Sequence, residues 1–235
     1  MPESDPENRP DPRSVRVRDA ATVMVLRDGP DRHAPLEVLM LRRSSTMSFV
    51  ANAMVFPGGA LDEADGPGTH GLTMAAIRET FEEAGLVLAA DADGRLAGAA
   101  HQERLAGHRH HVHRGTVAFG DVLGGAGLRA AVDAVHPWGR WVTPLGSHRR
   151  YDTRFFVTAC PEEQEAEPDT HESVEHRWVT PRQALQAGED GSMLLILPTR
   201  KSLEALTRFP TAAAALDAAA RSRHWSVPAV IPAAG

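Results

Sequence analysis

Three glutamates pose the chemical question of this sequence, in the stretch Arg78-Glu79-Thr80-Phe81-Glu82-Glu83-Ala84-Gly85-Leu86. At about 100° per residue on a helix, Met74, Ile77, Phe81 and Ala84 form an apolar stripe. Glu79, Glu82 and Glu83 then share an arc of about 100° on the opposite side. Gly85 suits the position just past a helix end, which puts the carboxylates in the last two turns. A helix C-terminus already carries partial negative charge and favours Lys or Arg. Glutamates crowded there repel one another and take up protons unless a cation neutralises them. A hard divalent ion with oxygen ligands, Mg²⁺ or Mn²⁺, meets that need, so Glu79, Glu82 and Glu83 are candidate metal ligands. The competing reading, a solvated acidic face, sits at the unfavourable end of the helix dipole.

The elements that must hold this helix are legible on either side. Ala20 to Arg27 reads as a buried strand, Asp28-Gly29-Pro30-Asp31 as a turn, and Leu36 to Arg42 as a second strand. Together they predict a hairpin with a long tip. Another strand runs through Ala53 to Phe56. After the helix, Leu86 to Ala89 reads as extended and Asp91-Ala92-Asp93-Gly94 as a turn. Residues 96–135 read as a mostly helical insertion, with Ala97 to Leu105 and Leu128 to Val135 its clearest pieces. Trp138 to Pro144 leads into Arg149 to Val157, which ends as a strand. Thr180-Pro181 is a cap-then-proline start for a helix at Arg182 to Ala187. Thr199 to Phe209 and Ala212 to Arg223 are two more helices.

The helical core motif, Arg-Glu-x-x-Glu-Glu-x-Gly and an aliphatic residue, resembles the Nudix box. Phe56-Pro57-Gly58-Gly59 resembles the strand and loop that lead into it. The usual box runs glycine, five residues, glutamate, seven residues, then Arg-Glu. Counting from Gly59, the glutamate slot holds Asp65, and Arg78 follows thirteen positions later. The loop is thus about five residues longer than usual, and Asp65 and Glu63 both compete for the upstream slot. The resemblance implies a Nudix α/β/α sandwich with a mixed sheet, an inserted helical segment and a lengthened box. It covers residues 18–210, with residues 16–225 as one domain.

A branch also shows. Arg43-Ser44 stands before Phe56 at the spacing of the coenzyme A diphosphatases, although Ser48, Val50, Asn52 and Ala53 stand where that signature has Arg, His, Gly and Gln. Arg42-Arg43-Ser44, Val-Phe-Pro-Gly-Gly-x-x-Asp, Trp141-x-Thr143-Pro144 and the Arg150-to-Phe156 block are closer to the peroxisomal-type members with a lengthened box. The resemblance implies hydrolysis of a diphosphate bond in a nucleoside diphosphate linked to another moiety. CoA or acyl-CoA leads, giving 3′,5′-ADP and phosphopantetheine; ADP-ribose or NADH is the alternative. A non-catalytic ligand sensor on the same scaffold is the reading from another class, and the intact glutamates oppose it.

By the same resemblance, Glu79, Glu82, Glu83 and the Gly59 carbonyl hold metal, and Arg78 orients a box carboxylate. Glu79 or a late glutamate acts as general base. That late residue is Glu172, or Glu175, ahead of Trp178-Val179-Thr180-Pro181. Arg42, Arg43, Ser44, Arg149, Arg150 and Arg154 are candidate phosphate contacts, each with the alternative of pairing a carboxylate or lying at a strand end. His108, His110, His111 and His113 admit a zinc reading, against a polar surface segment with no cysteine and no fourth ligand nearby.

Composition narrows the classes. The chain has 235 residues and 42% hydrophobic content, enough for a sizeable core, and no apolar run of membrane-spanning length. Its net charge of −6 argues against duplex nucleic acid as a partner. The single cysteine, Cys160, excludes an internal disulfide, fits a reducing cytoplasm and reads as a small packed residue. Pro161 to Asp169 reads as a solvated acidic loop. Met1 to Ser14, rich in Pro and acidic residues, reads as a disordered lead-in, and Val227 to Gly235 as a loose tail. The implied substrate is a small nucleotide-type molecule, and the family implies a homodimer.

Overall fold

Alternation along the first strand decides the layers. In β1 (Val17–Asp28), Val23 and Val25 join one apolar cluster while Met24 and Leu26 join another, and all four are fully buried. A strand buried on both faces belongs to the middle of a three-layer structure. The structure, a computed structural model, describes residues 15–29, 35–45, 50–169 and 172–222.

The remaining strands are β2 (Leu36–Arg43), β3 (Met54–Val55), β4 (Gly58–Ala60), β5 (Ala89–Ala90), β6 (Arg129–Ala130), β7 (His136–Val142), β8 (Arg150–Ala159) and β9 (Ser173–Val179). The helices are α1 (Gly68–Ala84), α2 (Ala99–Leu105), α3 (Arg109–His113), α4 (Phe119–Gly125), α5 (Pro181–Glu189), α6 (Leu197–Leu206) and α7 (Ala212–Arg221). The main sheet runs β3-β2-β1-β8-β7, with β4 also on β1 and β9 also on β2. It is mixed: β1 and β8 are parallel from Val17 opposite Arg150 to Leu26 opposite Ala159, and the other pairs are antiparallel. The expected hairpin forms, with Leu26 opposite Val38; the tip at residues 30–34 lies outside the described residues.

One face of the sheet packs against α1 and α4 through Ile77, Phe81, Phe119 and Leu123. The other packs against the last three helices through Ala184, Leu203, Leu206 and Ala215. This is the α/β/α sandwich that the resemblance implied. The start of α5 also forms as expected: Thr180 caps it through the Gln183 N–H, with Pro181 in the first turn.

The expected helix over Leu128 to Val135 is not there. Gly127, at φ +74°, turns the chain, and Arg129 and Ala130 pair with Ala90 and Ala89 in a two-stranded sheet. Local helix preference loses here to tertiary strand pairing. The other expected piece, Ala97 to Leu105, forms as α2, and the insertion's remaining helices are α3 and α4. The acidic loop is only partly solvated, because Gln164 and Ala166 are buried between exposed glutamates. The expected lead-in and tail lie outside the described residues. Among the described residues, no helix is long and apolar enough to cross a membrane.

Helix α1 is the element everything else positions. Gly85 ends it in the left-handed region at φ +71°, its N–H donating to the Phe81 carbonyl at 3.0 Å. Phe81 is fully buried and packs its ring 5.4 Å from that of Phe119. Phe81→Ala should therefore destabilise the protein by about 3–5 kcal/mol, read as a lower urea midpoint with an unchanged slope. A loss under about 1 kcal/mol would mean that the helix is not anchored here.

Candidate active site

β1 divides one of its edges. Residues 26–28 pair with β2, whereas residues 20–22 pair with β4. The division brings Gly58 and Gly59 onto the carboxylates of α1. The Gly58 N–H donates to Glu83 Oε2 at 3.0 Å. A Cβ on Gly59 would overlap the Glu79 carboxylate, and one on Gly58 would overlap the Ala21 carbonyl and Thr22. Close approach, rather than backbone conformation, makes both positions glycine.

Arg78 lies at the centre of the cluster and is 7% exposed. Its guanidinium donates to both oxygens of Asp65 at 3.0 Å, to Glu79 Oε1 and Glu82 Oε1 at 2.9 Å, and to the Ala60 carbonyl at 3.0 Å. Of the two candidates for the upstream carboxylate, Asp65 is buried against Arg78 and Glu63 is exposed. The Asp62 N–H holds Asp65 in turn, at 2.9 Å. Burial works against the Arg78 charge, but the Asp65 hydrogen bond and the surrounding carboxylates hold its pKa above the ordinary arginine value.

The glutamates feel the same confinement. Burial pushes the Glu79 carboxyl from 4.5 up to about 7; Arg78 opposes the rise, and the Glu82 and Glu172 charges add to it. Burial likewise raises Glu83 well above the usual carboxylate range, with Glu79 adding and the Gly58 N–H and Arg43 opposing. Glu82 and Glu83 are buried rather than displayed to solvent, so the solvated-face reading does not hold. Glu82 Oε2 also lies 3.4 Å from His113 Nδ1.

The helix end has its missing cation after all. Arg109, from the insertion, donates to the Glu82 carbonyl and the Glu167 carbonyl, each at 2.9 Å, and packs over Gly85. It caps the last turn where the dipole wants positive charge. Sequence reading passed it over, because no local signal ties residue 109 to residue 82.

A cleft of about 360 Å³ opens over the cluster, and Arg43, His113, Arg149, Tyr151, Thr153 and Glu172 line it with Glu79 and Glu82, while Glu83 lies buried behind them. Glu172 is held by its backbone. Its N–H donates to Asp169 at 3.1 Å, and its carbonyl accepts from the Ser44 N–H at 2.7 Å. Ser44 thus touches the site through its main chain. The structure does not bring the other arginines in. Arg42 pairs with Glu175 at 2.8 Å, away from the cleft lining. Arg150 donates to the Thr143 carbonyl at 3.2 Å, and Arg154 pairs with Asp152, as does Arg140. Strand parity separates them: Tyr151, Thr153 and Phe155 share one face of β8, and Arg150, Asp152 and Arg154 the other.

The zinc reading finds no support in the insertion: among the described residues, no three His, Cys, Asp or Glu side chains stand arranged to hold a metal. Cys160 lies outside the cleft lining, and burial pushes its thiol up to about 11, which suits packing rather than nucleophilic attack.

A family model described as the NUDT19 Nudix domain matches residues 66–205. The chain belongs to the Nudix family. It falls with the NUDT19 branch, which includes acyl-coenzyme A diphosphatases. The putative nudix hydrolase 7 of Caenorhabditis elegans is 28% identical over 171 residues, covering 73% of this chain and 56% of that protein. The acyl-coenzyme A diphosphatase NUDT19 of Homo sapiens is 28% identical over 216 residues, covering 67% and 58%. The Gallus gallus protein of the same name is 26% identical, covering 84% and 70%. The chain therefore spans between 56% and 70% of the length of these relatives. Among solved structures, a Nudix hydrolase from Alicyclobacillus acidocaldarius superposes with a TM-score of 0.75 at 28% identity, over 87% of this chain and 97% of that one.

Nudix hydrolases generally use divalent metal, and the chemistry of this box fits one. Its side chains do not stand as a ready-made cage, because Arg78 engages an oxygen of Glu79 and of Glu82 while Gly58 engages Glu83. The fit lies in the donor set: confined carboxylates whose burial and mutual repulsion a dication would relieve, with Gly59 leaving room beside Glu79. The sign of the pH dependence follows. Raised carboxyl pKa values favour the folded state fully below the unfolded value near 4.5, and that stabilisation is lost as pH rises through about 7. In chelator, the protein should lose on the order of 1–3 kcal/mol between pH 5 and pH 8, and Mg²⁺ should restore it. Urea midpoints at both pH values check this. Glu79→Gln and Glu83→Gln should flatten the difference; wild type and variants changing in parallel would refute the assignment.

Proposed function

We propose that the domain, taken as residues 16–225, is a divalent-metal-dependent diphosphatase whose substrate is CoA or acyl-CoA, cleaved to 3′,5′-ADP and (acyl-)phosphopantetheine. The observation that carries it is the confined cluster of Glu79, Glu82 and Glu83, the first two held by Arg78 and the third by the Gly58 N–H, beside a cleft that also presents Arg43, Arg149 and Glu172. The named activity of the NUDT19 relatives supports the choice of substrate.

Glu79, Glu82, Glu83 and the Gly59 carbonyl would hold Mg²⁺ or Mn²⁺. The ion supplies positive charge against the diphosphate and acidifies water at the site. Arg78 keeps the box carboxylates aligned through its hydrogen bonds to Glu79 and Glu82. Arg43 and Arg149 sit where they can take phosphate oxygens. Glu172, or Glu79, takes the proton of the attacking water. The new P–O bond forms at phosphorus, the anhydride P–O bond breaks, and the departing phosphate carries the electron pair. No covalent enzyme intermediate is needed.

The test is hydrolysis of CoA, acyl-CoA, ADP-ribose and NADH side by side with Mg²⁺ or Mn²⁺, products identified by mass. CoA compounds should lead and release 3′,5′-ADP. Glu82→Gln and Glu83→Gln should each lower kcat by about 10²–10⁴-fold with the fold intact by circular dichroism. Variants that retain turnover would remove the box glutamates from the mechanism. Preference for ADP-ribose or NADH would move the substrate, and binding without turnover would favour a sensor.

A further inference from the structure

The polar cleft continues past Tyr151 and Thr153. Sharing those residues with Thr22, Arg43 and Gly58, it opens into a second hollow of about 380 Å³. Phe56, Trp141, Phe155, Ile196 and Leu197 form much of its wall, and among the described lining residues Arg43 carries the only formal charge. Phe56, Trp141 and Phe155 are buried members of the second core cluster, so this side of the hollow is rigid. Leu197 stands at its surface, 41% exposed. Trp141 is 5% exposed, and its indole N–H has no acceptor among the described residues.

We propose that this apolar hollow receives the acyl-pantetheine arm of the substrate, while the 3′,5′-ADP half stays in the polar cleft. The inference rests on the CoA reading above and adds the orientation. A diphosphate held at the Glu79–Glu83 cluster must send its two halves in different directions. One half carries a further phosphate and a sugar; the other is an uncharged chain of amides and methylenes ending in a thiol or thioester. Arg149 and His113 line the polar cleft but not the hollow. Placing a phosphate in the hollow would desolvate charge against Phe155 and Leu197 without a compensating cation beyond the shared Arg43. The reverse placement would leave methylenes against carboxylates. Each methylene buried there gains hydrophobic free energy.

The experiment measures kcat/KM for CoA, acetyl-CoA, butyryl-CoA and octanoyl-CoA, and the inhibition constant of 3′,5′-ADP, in wild type, Leu197→Asp and Leu197→Trp. The first variant puts a charge in the hollow; the second narrows it without one. In wild type, octanoyl-CoA should exceed CoA by about tenfold or more. Both variants should lower kcat/KM for octanoyl-CoA by about tenfold while leaving 3′,5′-ADP inhibition within about twofold. Equal weakening of octanoyl-CoA and 3′,5′-ADP would assign the hollow to the nucleotide half and overturn the proposal. CoA turnover with no chain-length effect and silent variants would overturn it too, with the CoA reading standing. If wild type cleaves ADP-ribose but no CoA compound, the CoA reading itself fails and takes the orientation with it.

Discussion

One guanidinium ties together the three pieces that make the site. Arg78 reaches Asp65 in the loop, Ala60 at the sheet edge, and Glu79 and Glu82 on its own helix. Burying carboxylates without a cation costs several kcal/mol per charge, so these acids can pack together only because Arg78 is among them. Lysine could not replace it, since a single ammonium has no planar fork to engage Asp65 through two nitrogens while still serving two glutamates. The same bonds close the lengthened part of the box: the extra residues lie between Asp65 and Arg78, and the two hydrogen bonds between those side chains pin both of its ends.

The insertion is part of this architecture. Arg109 caps the helix at Glu82 and Glu167. Gln102 bridges the Gly85 carbonyl at 3.1 Å and the Glu165 carbonyl at 2.6 Å. From the acidic loop, buried Gln164 pairs with both the N–H and the carbonyl of Val87, at 2.8 and 3.2 Å. Asp169 then holds the start of the strand that presents Glu172. A helix that ends in three glutamates thus has its exit bound on two sides, and the loop that binds it also leads to Glu172 in the cleft.

The parts legible in the sequence were those with local signals. The α1 pattern, its glycine end and the Thr180 cap are all set within a few residues of one another, and all appear where expected. The arginines were harder. Arg43 and Arg149 reach the cleft while Arg42, Arg150 and Arg154 do not, and composition treats all five alike. Strand parity would have separated Arg150 and Arg154 from the Tyr151-Thr153-Phe155 face, given that one of those faces was known to meet the substrate. Leu128 to Val135 failed for the opposite reason: its alanines and leucine suggest helix, but its backbone bonds go to β5, a partner some forty residues earlier. Arg109 and the apolar hollow had no local signal at all, since both depend on which distant segments meet.

The placement of those distant segments also separates chemistry from selectivity. On the proposed reading the carboxylate cluster would act on the anhydride linkage, which is common to all nucleoside diphosphate derivatives and so does not tell one from another. Discrimination must come from walls supplied elsewhere, by β7, β8 and the start of α6. Those walls belong to the core on the opposite side of the sheet from α1's own packing cluster. A change at Leu197 or Trp141 can therefore reshape what is held without disturbing Arg78, Glu79 or Glu82, because the Arg78 hydrogen bonds run to Asp65, Ala60, Glu79 and Glu82 and not to that layer. A reaction centre and a substrate wall packed in separate layers are the arrangement by which a single fold can serve many diphosphates.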